Sequence, residues 1–240
     1  MKTNRQESYP LNEYYSRIYR RYDLVNRLFT LGNDMKWRKI TARRCLEFQP
    51  ESVIDLCCGT GDITLLLRKW APQNVTITGF DFNEKMLSRA NEKTEKKQLQ
   101  GIRFIQGDVA SMPFEDGTFD CMTIGFGFRN LTFENAHMGL HMKEVSKIIK
   151  KGGYVLVLES SVPRYTFIRF FYNIYLKFFM VPLGAIITGD TKMFKYLARS
   201  SANFYTVPEL TKIWNEYGFS LESVRTFFLG SANLIILRKN

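Results

Sequence analysis

The sequence predicts an α/β fold built on a mostly parallel, doubly wound sheet with helices on both faces. Between residues 46 and 160, short β-rich runs alternate with segments of helical periodicity, which is typical of consecutive strand–helix units. After residue 161 this alternation is replaced by helices and then two β-rich runs. We expect these last runs to form an antiparallel hairpin at one edge, which gives a sheet of seven strands.

Five strands are predicted in the alternating region, each a short apolar run bounded by glycine or polar residues. They cover residues 52–58, 75–80, 102–106, 119–126 and 154–159. The helices between them are expected at 63–70, at 84–98 with Asn83 as N-cap, and at 133–151. Gly152 and Gly153 are expected to end the last of these helices.

The two flanks are predicted to be largely helical. Residues 1–45 are expected to form two helices separated near Gly32. The C-terminal flank is expected to contain three helices and the hairpin strands, at residues 165–180, 194–204, 208–217, 220–228 and 233–238.

Charge is distributed unevenly along the 240 residues, whose net charge is +11. Residues 1–45 carry 11 basic and 4 acidic side chains, residues 46–160 carry 13 and 15, and residues 161–240 carry 10 and 4. Both flanks are therefore basic around a nearly neutral middle. An enzyme that acts on nucleic acid and an enzyme whose flanks touch an anionic membrane would both show this pattern.

The sequence predicts a cytoplasmic protein without a secretory signal. Its first ten residues are polar, and its four cysteines form no CxxC pair. The most apolar region, 165–189, has a longest uncharged stretch of only twelve residues, so we expect it not to cross a bilayer. Its aromatic residues at helical spacing predict a helix that lies in the core, lines an apolar cavity or touches lipid headgroups.

A glycine-rich turn follows the first predicted strand. Asp55 lies in that strand before the turn, and Gly59, Thr60 and Gly61 form a G-x-G core before the next helix. Such a turn lets a ligand approach the backbone closely and directs helix N-terminal amides at an anionic group. A dinucleotide site would have G-x-G-x-x-G here. The turn therefore indicates an S-adenosylmethionine site, with an ordinary tight turn as the structural alternative.

Two further carboxylates follow the next two strands. Asp81, twenty residues after Gly61, could accept hydrogen bonds from ribose hydroxyls. Asp108 could accept one from the adenine amino group, with Val109 as part of an apolar wall. Because ligands of open α/β sheets bind at the carboxyl ends of the strands, the three positions together predict S-adenosylmethionine as the cofactor.

No metal site is predicted. His137 and His141 are the only histidines and are spaced i, i+4 on a predicted helix, but no third ligand is evident. Two histidines on that helix also give no Ser-His-Asp or Cys-His set.

Four motifs carry a resemblance to a known family that covers nearly the whole chain. They are residues 22–26 (Tyr-Asp-Leu-Val-Asn), 37–38 (Trp-Arg), the turn at 55–62, and 125–132 (Gly-Phe-Gly-Phe-Arg-Asn-Leu-Thr). With these motifs the chain resembles the UbiE/MenG type of quinone-biosynthesis C-methyltransferases, a Rossmann-like class I methyltransferase family. The turn is shared by most class I methyltransferases, whereas the first and last motifs are specific to this family.

The resemblance implies a reaction and a set of contacts. The expected reaction is C-methylation of a reduced polyprenyl quinone precursor, demethylmenaquinol to menaquinol, with a benzoquinol precursor of ubiquinone as the alternative. It implies that Thr60, Asp81, Asp108, Val109 and Gly125 contact S-adenosylmethionine. In this chain a glycine stands at 125 where a serine is common, and cysteines at 57 and 58 replace a pair of small residues.

The predicted domain organisation follows from these assignments. Residues 1–45 are expected to be an N-terminal helical cap, and residues 46–160 the cofactor-binding α/β core. Residues 161–240 are expected to complete the same domain and to form the substrate pocket.

For catalysis we predict a polar network of Tyr22, Arg129 and Asn130. Arg129 would stabilise the phenolate of the quinol, and Tyr22 or a water molecule would relay its proton. A purely structural hydrogen bond that closes the N-terminal helix over the site is the alternative for Tyr22 and Arg129.

Partners and rival functions follow from the same features. A polyprenylated quinol and peripheral contact with an anionic membrane at the cytoplasmic face are expected, and no nucleic acid. An RNA methyltransferase is the first rival because of the net charge of +11, although no RNA-binding module is evident. A non-catalytic binding protein is the second. The sequence leaves the oligomeric state open, a homodimer included.

Overall fold

The computed structural model describes residues 11–240, so the first ten residues of the predicted cap lie outside the described part of the chain. Its centre is a seven-stranded sheet in which the strands, numbered along the chain, lie in the order 3-2-1-4-5-7-6. The first five strands pair in parallel, and the seventh pairs antiparallel with both the fifth and the sixth. The predicted fold class, with its antiparallel edge hairpin and helices on both faces, is confirmed.

The strands form where the sequence has short β-rich runs. Their bounds are β1 Ser52–Leu56, β2 Thr76–Asp81, β3 Ile102–Gln106, β4 Phe119–Gly125, β5 Ile149–Ser160, β6 Phe219–Phe227 and β7 Ala232–Lys239. The parallel register aligns Asp55 of β1 with Gly79 of β2 and Thr123 of β4. The carboxyl ends of β1, β2 and β4 therefore lie side by side at one edge.

Helices cover both faces of the sheet. They are α1 Leu11–Ile18, α2 Tyr22–Phe29, α3 Asn33–Glu47, α4 Asp62–Trp70, α5 Glu84–Lys96, α6 Phe128–Thr132, α7 Met138–Ile148, α8 Thr166–Tyr175, α9 Val181–Thr188, α10 Thr191–Ala202 and α11 Val207–Glu216. One apolar cluster contains Phe128, Trp214 and Phe219, and a second contains Trp37 and Ile63. Asn83 caps α5 as predicted, since its side chain accepts the N–H of Met86.

Two helix predictions are wrong. The described part of the N-terminal flank contains three helices, because the chain also breaks at residues 19–21, between α1 and α2. The helix expected at 133–151 ends at Ile148, and Gly152 and Gly153 lie within β5 instead of ending a helix. Its C-cap Ile149 is extended and pairs with Phe119 before a register shift in the ladder.

The aromatic segment forms a longer helix than expected. A π-helical turn, Leu176–Met180, joins α8 to α9, so the helix is continuous over 23 residues from Thr166 to Thr188. Its mean hydropathy of 1.6 and its length are those of a helix that could span a membrane. Only 17% of an 18-residue window within this helix is buried. The expectation from the sequence that this segment does not cross a bilayer stays a prediction.

Candidate active site

Two adjoining cavities lie over the carboxyl ends of the strands. The smaller, of about 190 Å³, is lined by the predicted cofactor residues Gly59, Asp81, Asp108, Val109 and Gly125. The larger, of about 650 Å³, lies between the N-terminal helices and the long C-terminal helix, and its lining is mostly apolar. We call them the small cavity and the large cavity.

The carboxylate of Asp81 is fixed at the end of β2 by two backbone donors. The N–H of Gly59 donates to its Oδ2 at 2.8 Å, and the N–H of Asn83 donates to its Oδ1 at 2.9 Å. Burial raises the pKa of this carboxyl to about 6. Asp81 therefore ties the glycine turn to β2 while it faces the small cavity.

Asp55 has a different place from the one predicted. Its carboxylate is buried and accepts hydrogen bonds from the Thr64 N–H at 3.0 Å, the Thr64 hydroxyl at 2.6 Å and the Thr123 hydroxyl at 2.8 Å. Burial raises its pKa to about 6. Asp55 does not line the small cavity. Its contacts instead bind the end of β1 to α4 and β4, so it shapes the turn from beneath.

Close packing at the turn explains two small residues. A Cβ on Gly125 would lie 2.5 Å from the Ile63 side chain, so this position has no room for a serine without a shift of its neighbours. A Cβ on Gly61 would lie 2.9 Å from Leu65 and 3.0 Å from Ala90, and its φ is +76°. Cys57 has a left-handed φ of +55° and faces the small cavity, and burial raises its thiol pKa.

The third strand tip is more open. The Asp108 side chain is 74% exposed and accepts the Ala110 N–H at 2.9 Å, while Val109 beside it is buried. His141 lies in the wall of the small cavity, with its Nδ1 2.9 Å from the Leu131 carbonyl oxygen. No cluster of three metal-ligating side chains occurs within residues 11–240.

Charged side chains hold the N-terminal helices against the cofactor turn. The Thr60 hydroxyl donates to Asp23 of α2 at 2.6 Å, and the Lys93 ammonium lies 3.0 Å from the same carboxylate. Lys93 also pairs with Asp62, to which Arg27 of α2 donates at 2.7 Å. Thr60 thus contacts the cap and does not line the small cavity. We call this network the cap latch.

Helix α1 closes the other side of the small cavity. The Asn83 side-chain amide donates to the Asn12 carbonyl at 3.0 Å and to the Ser16 hydroxyl at 2.8 Å. The Asn130 amide donates to the Tyr15 hydroxyl at 2.9 Å. Because these contacts join α1 to the N-cap of α5 and to α6, α1 forms a roof over the small cavity.

The large cavity has one polar region in an apolar wall. Arg129 donates from Nη1 to the Ser160 hydroxyl at 2.5 Å and to the Ser201 hydroxyl at 2.8 Å, and all three residues line this cavity. Tyr172, which also lines it, hydrogen-bonds to Ser201, and burial raises its pKa to about 12. A ligand with an apolar body and a polar ring substituent would fit such a wall.

The three predicted catalytic residues are divided between the cavities. Arg129 lines the large cavity, Asn130 lines the small one, and Tyr22 lines both. Tyr15 and Phe126 also line both, so these aromatic side chains form the partition where the cavities meet. Phe126 has a left-handed φ of +62°, and the Arg38 guanidinium lies 5.1 Å from the centre of its ring.

Sequence reasoning missed Tyr15, Phe126, Ser160 and Ser201. Phe126 lies inside the family motif at 125–132, so the motif could have pointed to it. Tyr15, Ser160 and Ser201 belong to no local pattern, because they reach the site through contacts between distant segments such as the one between Tyr15 and Asn130, 115 positions apart.

The fold is the Rossmann-like fold of the class I methyltransferases. A putative S-adenosyl-L-methionine-dependent methyltransferase from Methanococcus maripaludis superposes with a TM-score of 0.61 at 19% identity, covering 100% of this chain and 97% of that one. The [4+2]-cyclase SpnF superposes with a TM-score of 0.67 at 12% identity, covering 95% and 94%. At these identities the likeness concerns the fold alone.

Sequence comparisons identify the family. The model of the ubiE/COQ5 methyltransferase family matches residues 2–235, and the chain belongs to that family. A Thermotoga maritima protein named demethylmenaquinone methyltransferase is 36% identical over 89% of this chain and 90% of its own length. A Staphylococcus aureus protein of the same name is 32% identical over 97% and 94%.

Proposed function

We propose that this protein transfers a methyl group from S-adenosylmethionine to a ring carbon of a reduced polyprenyl quinone precursor, with demethylmenaquinol as the substrate. The observation that carries the proposal is the pair of adjoining cavities. One is lined by carboxylates at strand ends, the other is large and apolar with a polar region, and both share the partition of Tyr15, Tyr22 and Phe126. The names of the relatives support the choice of demethylmenaquinol.

The small cavity suits the nucleoside part of S-adenosylmethionine. Asp81 offers a fixed carboxylate to the ribose hydroxyls, and Asp108 with Val109 offers an acceptor and an apolar surface to the adenine. Gly59 and Gly125 leave backbone room for the methionine part. Three residues near the turn do not line the small cavity. Asp55 and Gly61 shape the glycine turn, and Thr60 anchors the cap through Asp23. When bound, the cofactor supplies an electrophilic methyl group on a sulfonium.

The large cavity suits an aromatic ring that carries hydroxyl groups. Arg129 is buried and lines this cavity, and its Nη1 donates to the Ser160 and Ser201 hydroxyls in the same wall. We propose that its guanidinium stabilises the phenolate form of the ring oxygen, which makes the adjacent ring carbon more nucleophilic. Tyr22 and Asn130 would hold the ring and the cofactor in line at the partition.

The mouth of the large cavity suits a lipid tail. Six large apolar residues line the cavity and are also exposed, namely Leu28, Leu31, Phe171, Phe179, Phe228 and Leu229. Exposed apolar surface around an opening is typical of a membrane contact. We therefore propose a cytoplasmic protein that touches the anionic membrane face while the polyprenyl tail leaves through this mouth. Assembly as a homodimer stays a prediction.

A methyl-transfer assay tests the function directly. The purified protein is incubated under anaerobic conditions with labelled S-adenosylmethionine and either demethylmenaquinol or the benzoquinol precursor of ubiquinone. We expect label in the naphthoquinol product. Label only in the benzoquinol product would favour the alternative ring, and label in neither would contradict the proposal.

One rival function keeps a specific observation in its favour. The net charge of +11 would suit an RNA methyltransferase. The apolar lining and apolar mouth of the large cavity favour a lipid-like substrate instead. Transfer of label to RNA in the same assay would support the rival.

A further inference from the structure

We infer that Glu159 is the general base for the ring hydroxyl of the substrate and that the Ser160 hydroxyl carries the proton to it. This inference rests on the proposed function, because it concerns the hydroxyl of a bound quinol. It assigns the proton acceptor, a role that the amide of Asn130 cannot fill and that does not suit Tyr22, because burial raises the pKa of its phenol and keeps it protonated near neutral pH.

The hydrogen bonds around Ser160 form a path from the cavity to a buried carboxylate. Ser160 lines the large cavity, and its hydroxyl donates to Glu159 Oε1 at 3.0 Å. The Arg129 guanidinium donates to the same hydroxyl at 2.5 Å. A serine oxygen accepts two hydrogen bonds, so one position remains for a donor in the cavity. The ring hydroxyl of a quinol bound beside Arg129 can supply it.

Glu159 is placed to receive a proton and to return it. The residue is 2% exposed at the end of β5. Its Oε1 accepts the Ser160 N–H at 2.8 Å, and its Oε2 accepts the Arg129 N–H at 3.1 Å. The Arg129 guanidinium lies 3.7 Å from Oε1, so a cation accompanies the carboxylate in its buried position. These contacts hold one oxygen toward Ser160.

The other titratable groups nearby are less suited. Burial raises the pKa of Tyr172 to about 12 and raises that of the Cys57 thiol, so both stay protonated near neutral pH. Asp34 also lines the large cavity, but Arg27, Arg38 and the Thr30 hydroxyl surround its two oxygens. Within residues 11–240, Glu159 has one guanidinium partner, Arg129, and accepts from the Ser160 hydroxyl, which faces the cavity.

Proton transfer through Ser160 precedes methyl transfer. The ring hydroxyl gives its proton to Ser160 Oγ while the proton of Ser160 moves to Glu159 Oε1, which leaves a phenolate. The ring carbon then forms a bond to the sulfonium methyl group, and the electron pair of the broken C–S bond stays on sulfur. The same ring carbon loses its hydrogen to water as a proton, and Glu159 returns its proton to the ring oxygen through Ser160. One proton is released for each methyl group transferred.

The first test compares Ser160→Ala with Ser201→Ala. Ser201 is a matched control, because its hydroxyl also accepts a hydrogen bond from Arg129 but has no contact with Glu159 among residues 11–240. General-base loss should lower kcat of Ser160→Ala about 100-fold at pH 7 with little change in KM. This deficit should shrink by about tenfold per pH unit and be gone by about pH 9, since phenols ionise in water with a pKa of about 10. Ser201→Ala should show a smaller loss that is the same at every pH. Glu159→Gln should follow Ser160→Ala.

A second readout needs neither turnover nor cofactor. Calorimetry of the cofactor-free protein compares 1-naphthol with 1-methoxynaphthalene, which lacks the donated proton. Wild type should prefer 1-naphthol about tenfold, as one hydrogen bond would allow. Ser160→Ala should lose this preference and Ser201→Ala should keep it. This measurement also serves if Glu159→Gln fails to fold.

Two outcomes would overturn the assignment alone. One is that the wild type is active and the pH profile of kcat for Ser160→Ala runs parallel to the wild-type profile. The other is that Ser160→Ala still binds 1-naphthol more tightly than 1-methoxynaphthalene. An inactive wild type would instead contradict the proposed function, and the assignment of the base with it.

Discussion

Arg129 lines the large cavity and takes no part in the small one, so its effects on turnover and on cofactor affinity should separate. Arg129→Ala should lower kcat roughly 100-fold, because it removes a preorganised donor to the phenolate. The Kd for S-adenosylmethionine should change less than threefold. Single-turnover kinetics and calorimetry measure the two quantities.

The control for this variant is Arg199→Ala, which removes an exposed arginine that pairs with Glu134. It should leave kcat and Kd unchanged. Equal losses of turnover and cofactor affinity in Arg129→Ala would refute its role at the substrate. Thermal melting separates such losses from unfolding, since Arg129→Ala also leaves Glu159 without its cation.

The Asp81 carboxyl should make cofactor affinity depend on pH. Its pKa is raised to about 6, so the free protein carries a proton there at lower pH. Ribose hydroxyls donate best to the ionised form, so binding must release that proton. Calorimetry should show a constant Kd for S-adenosylmethionine above pH 7. Below pH 6 the Kd should rise by up to about tenfold per pH unit.

Asp55 provides the comparison, because its pKa is also raised to about 6 but it does not line the small cavity. Asp81→Asn should bind S-adenosylmethionine weakly at pH 7.5 and lose the pH dependence. Asp55→Asn should keep it. A pH dependence that persists in Asp81→Asn would assign the titration to another group.

Among the elements, we expect the helices α1 and α2 to control the release of the cofactor. The cap latch crosses the glycine turn, and Asp23 is its shared acceptor for Thr60 and Lys93. Asp23→Ala should raise the dissociation rate of S-adenosylmethionine about tenfold in stopped-flow measurements. Glu13→Ala, which breaks an exposed pair with Arg17 on α1, should have no effect. An unchanged dissociation rate in Asp23→Ala would mean that the cofactor does not pass the latch.

Local patterns predicted the strands well and some helix limits poorly. The third strand matches its predicted bounds of 102–106, because its apolar run ends at a glycine and an aspartate. The helix expected at 133–151 was too long, because a strand partner for Ile149 is not visible in local periodicity. The break between α1 and α2 likewise has no glycine or proline to mark it.

The candidate site was predictable where it follows from topology. Carboxyl ends of parallel strands meet at one edge, so the sequence alone could place Asp81, Asp108 and Gly125 together. Asp55 joins the end of β1 to α4 and β4 through the hydroxyls of Thr64 and Thr123. No rule of sequence spacing indicates these two contacts. Tyr15 reaches the partition between the two cavities because α1 packs against α6. This contact joins segments far apart in the chain and has no sequence signature.

At the scale of the whole molecule, exposed charge and apolar surface support the proposed contact with a membrane. The long helix Thr166–Thr188 exposes aromatic side chains, among them Phe167 and Phe170 at 73% and 60%. Tyr175 on the same helix donates to the Phe29 carbonyl of α2 at 2.6 Å, so the helix is docked along the cap. Exposed basic residues flank this surface at Arg20, Arg21, Arg164, Arg169 and Lys177. This arrangement favours a helix that lies in the plane of the membrane interface.

Vesicle sedimentation checks this arrangement. Anionic lipid should add about 1 kcal/mol for each basic residue near the surface. Vesicles with phosphatidylglycerol should therefore bind the protein at low salt and release much of it at roughly 0.5 M salt, while pure phosphatidylcholine binds less. Phe167→Asp combined with Phe170→Asp should weaken binding, since apolar contact is lost and negative charge gained.

Neither phenylalanine lines a cavity, so this double variant should still methylate a short-chain quinol at the normal rate and lose activity only on a long-chain quinol in vesicles. Leu140→Asp, an exposed apolar position on α7, should bind vesicles like the wild type. Binding to RNA with steep salt dependence, together with indifference to anionic vesicles, would show that the basic flanks serve a nucleic acid instead. The apolar mouth of the large cavity would then need another explanation.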